Sequence, residues 1–298
     1  MAGQFIMGTF ALEIGGTVVG FVNSVEGGAI RADVIEETLG PDGIARKHLG
    51  ALRYEGLVIE VSLPLARELF DWTAQTWSGL ESRRDVAILD CDFNRKVKRV
   101  RRCFQSLITE VRFPALDAST REAGYLTIKF RPELIRVEKG DGSTVVAKGE
   151  AKSKKWVRSN FRFALGGLDG KRVKRIDAFA VKQALSDDAL GEARGEKTVS
   201  APRFPDLSVA MSQKDIEGWE KWANEFIVQG NSGAEQEKSG SIEFLDASLK
   251  EVLGRIDLSG VGIFRIADAK GESSQDSLRD VEISLYVEQM ALSSDPRV

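Results

Sequence analysis

Phe10-Ala11-Leu12-Glu13-Ile14-Gly15-Gly16, near the start of the chain, is answered by Phe161-Arg162-Phe163-Ala164-Leu165-Gly166-Gly167. Working outward, Leu57-Val58-Ile59-Glu60-Val61, followed by a helical pattern bearing Trp72, is answered by Leu207-Ser208-Val209-Ala210-Met211 and a pattern bearing Trp222. Leu126-Thr127-Ile128-Lys129-Phe130 is answered by Val281-Glu282-Ile283-Ser284-Leu285. The separation begins at about 150 positions and drifts to about 155, as loop insertions would make it do. A period this long marks a duplicated domain, since solenoid units repeat every ~20–50 residues. The length of 298 residues also suggests two domains. The expected boundaries are 5–137 for the first copy, 138–157 for a glycine- and charge-rich linker, and 158–294 for the second.

Local patterns give the fold class. Phe10, Leu12 and Ile14 alternate before Gly15-Gly16, a hairpin signal in which glycine supplies positive φ. Residues 36–50 are polar around Pro41-Asp42-Gly43 and read as a long exposed hairpin or loop. Ser62 is the expected helix N-cap, with Leu65, Leu69, Trp72 and Thr76 on one helical face. In the second copy Ser212-Gln213-Lys214-Asp215 resembles a capping box, and Ile216, Trp219, Trp222 and Phe226 continue at helical spacing. Further strands are expected at 86–91, 97–104, 107–113 and 125–130, then at 242–245, 255–258, 262–266 and 281–287. Val281, Ile283, Leu285 and Val287 alternate with polar residues, the pattern of a half-buried antiparallel strand. The expected fold is mainly β: two tandem antiparallel β-barrel or sandwich domains, each with one flanking α-helix.

Chemistry-bearing constellations are sparse. The net charge of −3 argues against a general nucleic-acid binder or a membrane-surface protein. No apolar stretch approaches the ~20 residues of a membrane span, and the first five residues lack a signal peptide's basic region. The one histidine, His48, lies in the polar 36–50 stretch, so no Ser-His-Asp arrangement is available. Cys91 and Cys103 stand twelve apart with no nearby histidine, which excludes a zinc pattern and reads as two reduced, partly buried thiols. No phosphate-binding glycine loop is present. The expectation is a chain with no catalytic residues, no cofactor and no metal. The strongest charge feature is Arg95-Lys96-Val97-Lys98-Arg99-Val100-Arg101-Arg102, with six basic residues of eight. It reads as a solvent- or subunit-facing edge strand whose charges suppress aggregation, ahead of a nucleic-acid contact.

The order of motifs resembles the tail tube protein family of contractile phage tails and related contractile injection systems. Phe10 to Gly16 with Phe21 to Gly27 is similar to that family's opening hairpin. Glu36-Glu37 through Leu49-Gly50 resembles its long loop, and Tyr54 to Glu60 the strand after it. Arg112-Phe113-Pro114-Ala115-Leu116-Asp117-Ala118-Ser119 before Tyr125 to Phe130 resembles its turn and last strand. The resemblance covers most of residues 8–137; the second copy lacks the proline of that turn, and the duplication itself departs from the family.

The resemblance implies a structural subunit of a hollow conduit inside a contractile sheath, built from stacked rings. The implied partners are the chain itself, sheath protein, baseplate or hub and tape-measure proteins, and DNA or cargo passing through without sequence-specific contact; no membrane is implied. The implied location is a virion tail or injection-system particle assembled in the bacterial cytoplasm. The inter-subunit contacts expected are Glu36, Glu37, Asp42, Arg46 and Lys47 in the loop, and Arg99, Arg101 and Arg102 in the basic run. Two architectures follow from the duplication. The one expected is a main tube of six chains per ring, with inner and outer domain layers. Three chains could instead make a pseudo-six-fold ring, suited to an adaptor between a trimeric spike or hub and the tube. A two-domain binding module is the third reading, with salt-sensitive binding that disappears when Arg99, Arg101 and Arg102 become serine.

Overall fold

The computed structural model describes residues 8–38, 44–146, 156–187, 197–268 and 280–293. The first copy runs β1 (Thr9–Ile14), β2 (Thr17–Val22), β3 (Ser24–Gly27), β4 (Ile30–Glu37), β5 (Arg46–Tyr54), β6 (Leu57–Val61), α1 (Arg67–Trp77), β7 (Arg84–Cys91), β8 (Val97–Phe113), β9 (Leu116–Asp117), β10 (Leu126–Arg131) and β11 (Leu134–Lys139). Gly15 and Gly16 turn β1 into β2 with φ of 56° and 82°, the two positive values a two-residue hairpin turn requires. The second copy runs β12 (Phe161–Leu165), β13 (Val173–Ile176), β14 (Phe179–Lys182), β15 (Leu185–Asp187), β16 (Lys197–Val199), β17 (Leu207–Ser212), α2 (Glu217–Ala223), β18 (Lys238–Leu245), β19 (Val252–Asp268) and β20 (Asp280–Ser293). The strand order β1-β7-β8-β10-β6-β3 in one sheet is matched by β12-β18-β19-β20-β17-β13 in the other. Among the described residues the molecule is mainly β, in two tandem antiparallel domains with one α-helix each, and the duplication extends to the hydrogen-bonded order.

The sequence splits β8 and β19 into two strands apiece, whereas each is one strand of seventeen residues. The reason is a bulge. Gln105 in β8 and Gly260 in β19 adopt positive φ, 50° and 61°, without ending the ladder. The register slips around both, from Arg84↔Ser106 to Val86↔Cys103 and from Lys238↔Val261 to Gly240↔Leu258. A bulge bends a strand and increases its twist while pairing continues on both sides. Pro132 has no N–H to donate and divides β10 from β11, where the second copy carries the single strand β20.

Neither helix is capped as its sequence suggests. Leu63 is buried ahead of α1, and the helix starts only at Arg67 with Ala66 in the cap position, so Ser62 is too far away to cap it. Ser212 precedes a single 3-10 turn, Gln213–Asp215, and makes no side-chain cap bond. Leu69, Trp72 and Thr76 are buried on α1, and the Trp72 indole N–H donates to the Ser82 carbonyl at 2.8 Å. Ile216, Trp219, Trp222 and Phe226 are all buried, with a π turn, Asn224–Val228, continuing α2.

The expected linker is structured at both ends. Its start belongs to β11, which pairs Glu138 with Val100 and Lys139 with Arg99. Val145 and Trp156 are buried, and Trp156 meets the Phe244 ring edge-on at 5.3 Å. Composition hid this because two large apolar groups suffice to tie down a polar stretch. One continuous buried cluster runs through both copies, from Leu12 to Met290. A smaller cluster on the opposite face gathers Ala11, Ala87, Leu89, Cys91, Val97, Val100 and Val145. Cys103 belongs to the large cluster and Cys91 to the small one, so the two free thiols sit on opposite faces of the sheet and cannot meet. Burial pushes the Cys103 thiol up to about 12, and raises that of Cys91.

Three carboxylates tie the fold to pH. The Ser248 hydroxyl and the N–H groups of Lys250 and Glu251 hold Asp246 well below the carboxylate range, against its burial. The Ser119 hydroxyl and N–H lower Asp117. Burial raises Glu110, but Lys129 at 3.0 Å and Arg112 at 2.9 Å outweigh it, so the net shift is downward. Each pKa is lower folded than unfolded, so the unfolded chain binds more protons as pH falls. The stability they contribute is present above the unfolded carboxyl pKa of about 4 and is lost below it. The urea midpoint is therefore expected to be flat from about pH 7 to 5 and to drop steeply below about pH 4. Asp246→Asn should flatten that acid limb; an unchanged limb would remove Asp246 from the account.

Candidate assembly surfaces

The two copies are stitched together side by side through their sheets. β14, from the second copy, pairs with the end of β8 in the first: Phe179↔Phe113, Ala180↔Arg112, Val181↔Val111 and Lys182↔Glu110. Gln183 continues the ladder, its N–H donating to the Thr109 carbonyl at 2.9 Å. In return β9, from the first copy, pairs with β13: Arg175↔Asp117 and Ile176↔Leu116. β8 is thus paired along both edges, by β7 and β11 over its first half and by β10 and β14 over its second. Phe113 is the centre of this junction. It stacks on Phe179 at 4.9 Å and on Phe244 at 5.3 Å, and Trp77 meets its edge at 6.0 Å. Trp77 also reaches Phe204 of the second copy at 6.4 Å, and α1 packs against β20. Alternation of Phe179 and Val181 was the available signal for a buried strand, but nothing local says which sheet receives it.

A second surface is the β4–β5 hairpin, a two-stranded sheet apart from the main sheets. Ile30↔Tyr54, Ala32↔Leu52 and Val34↔Leu49 place apolar side chains on one face, and Val34 and Leu49 are 64% and 74% exposed. The other face carries charge, with Arg53 bonded to Asp33 at 2.9 Å. An isolated two-stranded ribbon is marginally stable in water, and a contiguous exposed apolar face marks an interaction site.

The expected contact residues fall in two groups. In the hairpin Glu36 pairs with Lys47 across the ladder, at 3.2 Å, and Glu37 stands opposite Arg46; Asp42 lies outside the described residues. His48 stands exposed opposite Ile35. The basic run is different from its expectation. It is not an edge: it lies between β7 and β11, because β11 continues through residues that composition assigns to a linker. Arg101 is bonded to buried Asp90 at 3.1 Å, and Arg102 to Glu138 at 3.0 Å and Glu13 at 3.3 Å. Arg95 sits over the Phe21 ring, and Arg99 is exposed, with Asp90 and Lys139 as ladder neighbours. Arg101 and Arg102 serve the chain's own fold; Arg99 alone of the three points its charge mainly to solvent.

Among the described residues no group of three or more His, Cys, Asp and Glu stands ready to hold a metal ion. No family model and no curated protein matches the sequence. Solved structures do. The chain is similar to a protein in the sheath–tube complex of an extracellular contractile injection system, PVC, in its extended state, at 19% identity over 47% of this chain and 94% of that one, with a TM-score of 0.42. It is similar to the tube-terminating cap of the anti-feeding prophage, at 20% identity over 47% and 95% of the two chains and a TM-score of 0.40. It is also similar to Hcp1 from Flavobacterium johnsoniae, at 11% identity over 45% and 96% and a TM-score of 0.27.

Proposed function

We propose that this chain is a non-catalytic structural subunit that builds rings of a contractile tail or injection apparatus, each chain filling two adjacent ring positions. The class is the one whose motif order residues 8–137 resemble. The observation that carries the two-position reading is the β14–β8 pairing, which joins the copies laterally through a shared sheet and a shared core. A main tube with inner and outer domain layers calls for copies stacked radially; a lateral sheet joint suits neighbours along a ring. Three chains then supply six near-equivalent positions.

The copies also differ in a way that leaves such a ring three-fold. β2 pairs with β1 in the first copy, while in the second the corresponding turn makes only the Leu165↔Leu168 bridge before β13. A ring alternating these two faces fits an adaptor between a three-fold component and a six-fold tube. The exposed face of the β4–β5 hairpin is the contact toward the next ring or component. Sheath, hub and tape-measure proteins are the partners this role implies, and the particle is its location.

Mass photometry and negative-stain microscopy across a concentration series test the proposal. The expected result is a species of three times the 32.7 kDa chain mass, seen as rings of six lobes in two alternating shapes. Six-chain rings with two radial layers would overturn the two-position reading and restore the main tube. Bilobed single chains at every concentration would overturn the ring role altogether.

A further inference from the structure

Among the described residues, the duplication leaves two halves of the same joint without strand partners at opposite sides of the chain. Ile128 lies between Ile59 and Val111, and Ile283 lies between Val209 and Ile266. Ile266 is therefore the counterpart of Val111. The match includes the irregularity: the β8–β10 ladder steps over Thr109, and the β19–β20 ladder steps over Phe264, its counterpart. On the other side, Val25 and Ile176 take the same place against Ile59 and Val209. Arg31 stands opposite Arg53 as Lys182 stands opposite Arg203. Ile30 is therefore the counterpart of Val181, and β4 begins where β14 lies.

Within the chain these two positions are filled. Val181 sits on Val111, and both are buried. Their counterparts are open. Among the described residues nothing pairs with the second edge of β19 at 264–267, and Phe264 is 48% exposed. Ile30 is 50% exposed, with β5 on one edge only. The helices tell the same story. Trp77 is 4% exposed because Phe204 of the second copy covers it, whereas Ile227, its counterpart on the second helix, is 43% exposed. β3 ends its sheet, while its counterpart β13 is covered by β9.

We infer that the open edge of β19 at residues 264–267 takes the start of β4 from a second copy of this chain, antiparallel, with Ile30 opposite Ile266. This rests on the reading of the chain as a ring subunit and gives that ring its joint. The contact is head to tail, so one chain's second copy meets the next chain's first copy, and repeating it closes a ring when the rotation closes. Ile227 then faces Tyr54, the counterpart of Phe204. Unpaired edges are templates for strand addition, and here the template for the register is already occupied once inside each chain. One pairing differs: Lys182 faces Glu110, but Arg31 would face Arg265. Each of these arginines has its own carboxylate, Glu55 at 3.6 Å and Glu282 at 3.7 Å. The joint between chains is accordingly weaker than the joint within one.

The register gives a crosslink. Ala180 faces Arg112 inside the chain, and the counterparts of this pair are Ala29 and Ala267. The bond from Gln183 to Thr109 makes it a non-hydrogen-bonded pair, for which Cα atoms are about 4.5 Å apart. Full-length protein carrying Ala29→Cys and Ala267→Cys is oxidised mildly, with each single variant beside it. Native Cys91 and Cys103 are fully buried and stay silent. The double variant is expected to give a covalent ladder rising to the closed ring, and each single variant at most a dimer. Ile266→Lys, with an unchanged circular dichroism spectrum, is expected to lose the rings. Rings that form without the ladder, or that survive Ile266→Lys, overturn this joint while the ring role stands. Single chains only, in parent and variants alike, overturn both.

Discussion

Phe113→Ala is expected to destabilise the protein by about 3–5 kcal/mol, the range for deleting a buried aromatic ring that cannot be refilled. Phe113 is almost wholly buried, stacked between Phe179 and Phe244 with Trp77 at its edge. All three neighbours are themselves buried, so collapse into the void is restricted and the cavity term stays large. The aromatic contacts add to the loss, about 0.5–1.5 kcal/mol for each well-placed pair. The consequence is also positional. Phe113 lies at the end of β8, against β14 of the second copy, so the copies lose registry together with stability. Urea unfolding followed by tryptophan fluorescence checks it, because Trp77 and Trp156 report the junction directly. Phe113→Leu, which keeps most of the apolar volume, should recover more than half of the loss. A cost below about 1 kcal/mol for the alanine variant would show that the junction is not the centre of the core.

The second large effect is on association with little change in stability. Val34→Asp together with Leu49→Asp puts two carboxylates on the exposed face of the β4–β5 hairpin. Both side chains are mostly exposed and stand opposite each other in the ladder. Surface substitutions of this kind change folding stability by about 0.5 kcal/mol or less, with some added repulsion because like charges face each other across strands. At an interface the same two side chains bury apolar area, about 1.5–3 kcal/mol for each if fully covered. The double variant is therefore expected to weaken contacts between rings, or between ring and adjoining component, by on the order of 10²-fold or more, while the ring itself persists. Sedimentation velocity separates the two levels, since single rings should remain and stacks should vanish. Stacks of unchanged abundance would assign the hairpin face to another role.

Much of this was legible before any coordinates. Alternation at Phe10, Leu12 and Ile14, at Leu57, Ile59 and Val61, and at Val281 to Val287 marks half-buried strands because side chains point to opposite faces at every step. The Gly15-Gly16 turn follows from its φ requirement, and the tryptophan-bearing helix faces follow from 3.6-residue periodicity. The described parts of the 36–50 stretch, 36–38 and 44–49, are exposed as its polarity suggests. The caps at Ser62 and Ser212 misled because an N-cap signal marks only where a helix can start, and burial of Leu63 and a 3-10 turn shifted the actual starts. The strand breaks expected around Gln105 and Gly260 misled because a bulge interrupts the alternation of side chains without ending the pairing.

The assembly surfaces divide along the same line. Glu36 and Lys47 face each other because hairpin neighbours are close in sequence, so their pairing could be anticipated. The basic run could not be placed: charge density records the demand for carboxylates or water, and Asp90, Glu13 and Glu138 come from three other segments. By itself the sequence determined that one β domain occurs twice, with its helix, its turns and the alternation of each strand, because those are set by residues within a few positions of one another. Only the tertiary structure decided that β14 crosses to β8, that residues 138–145 close a sheet and a small core, and that, among the described residues, the edges at Ile30 and Ile266 stay open. Those outcomes depend on strand partners distant in the chain, and an edge offers the same N–H and C=O groups whatever its sequence, so the partner is chosen by the packing of the whole.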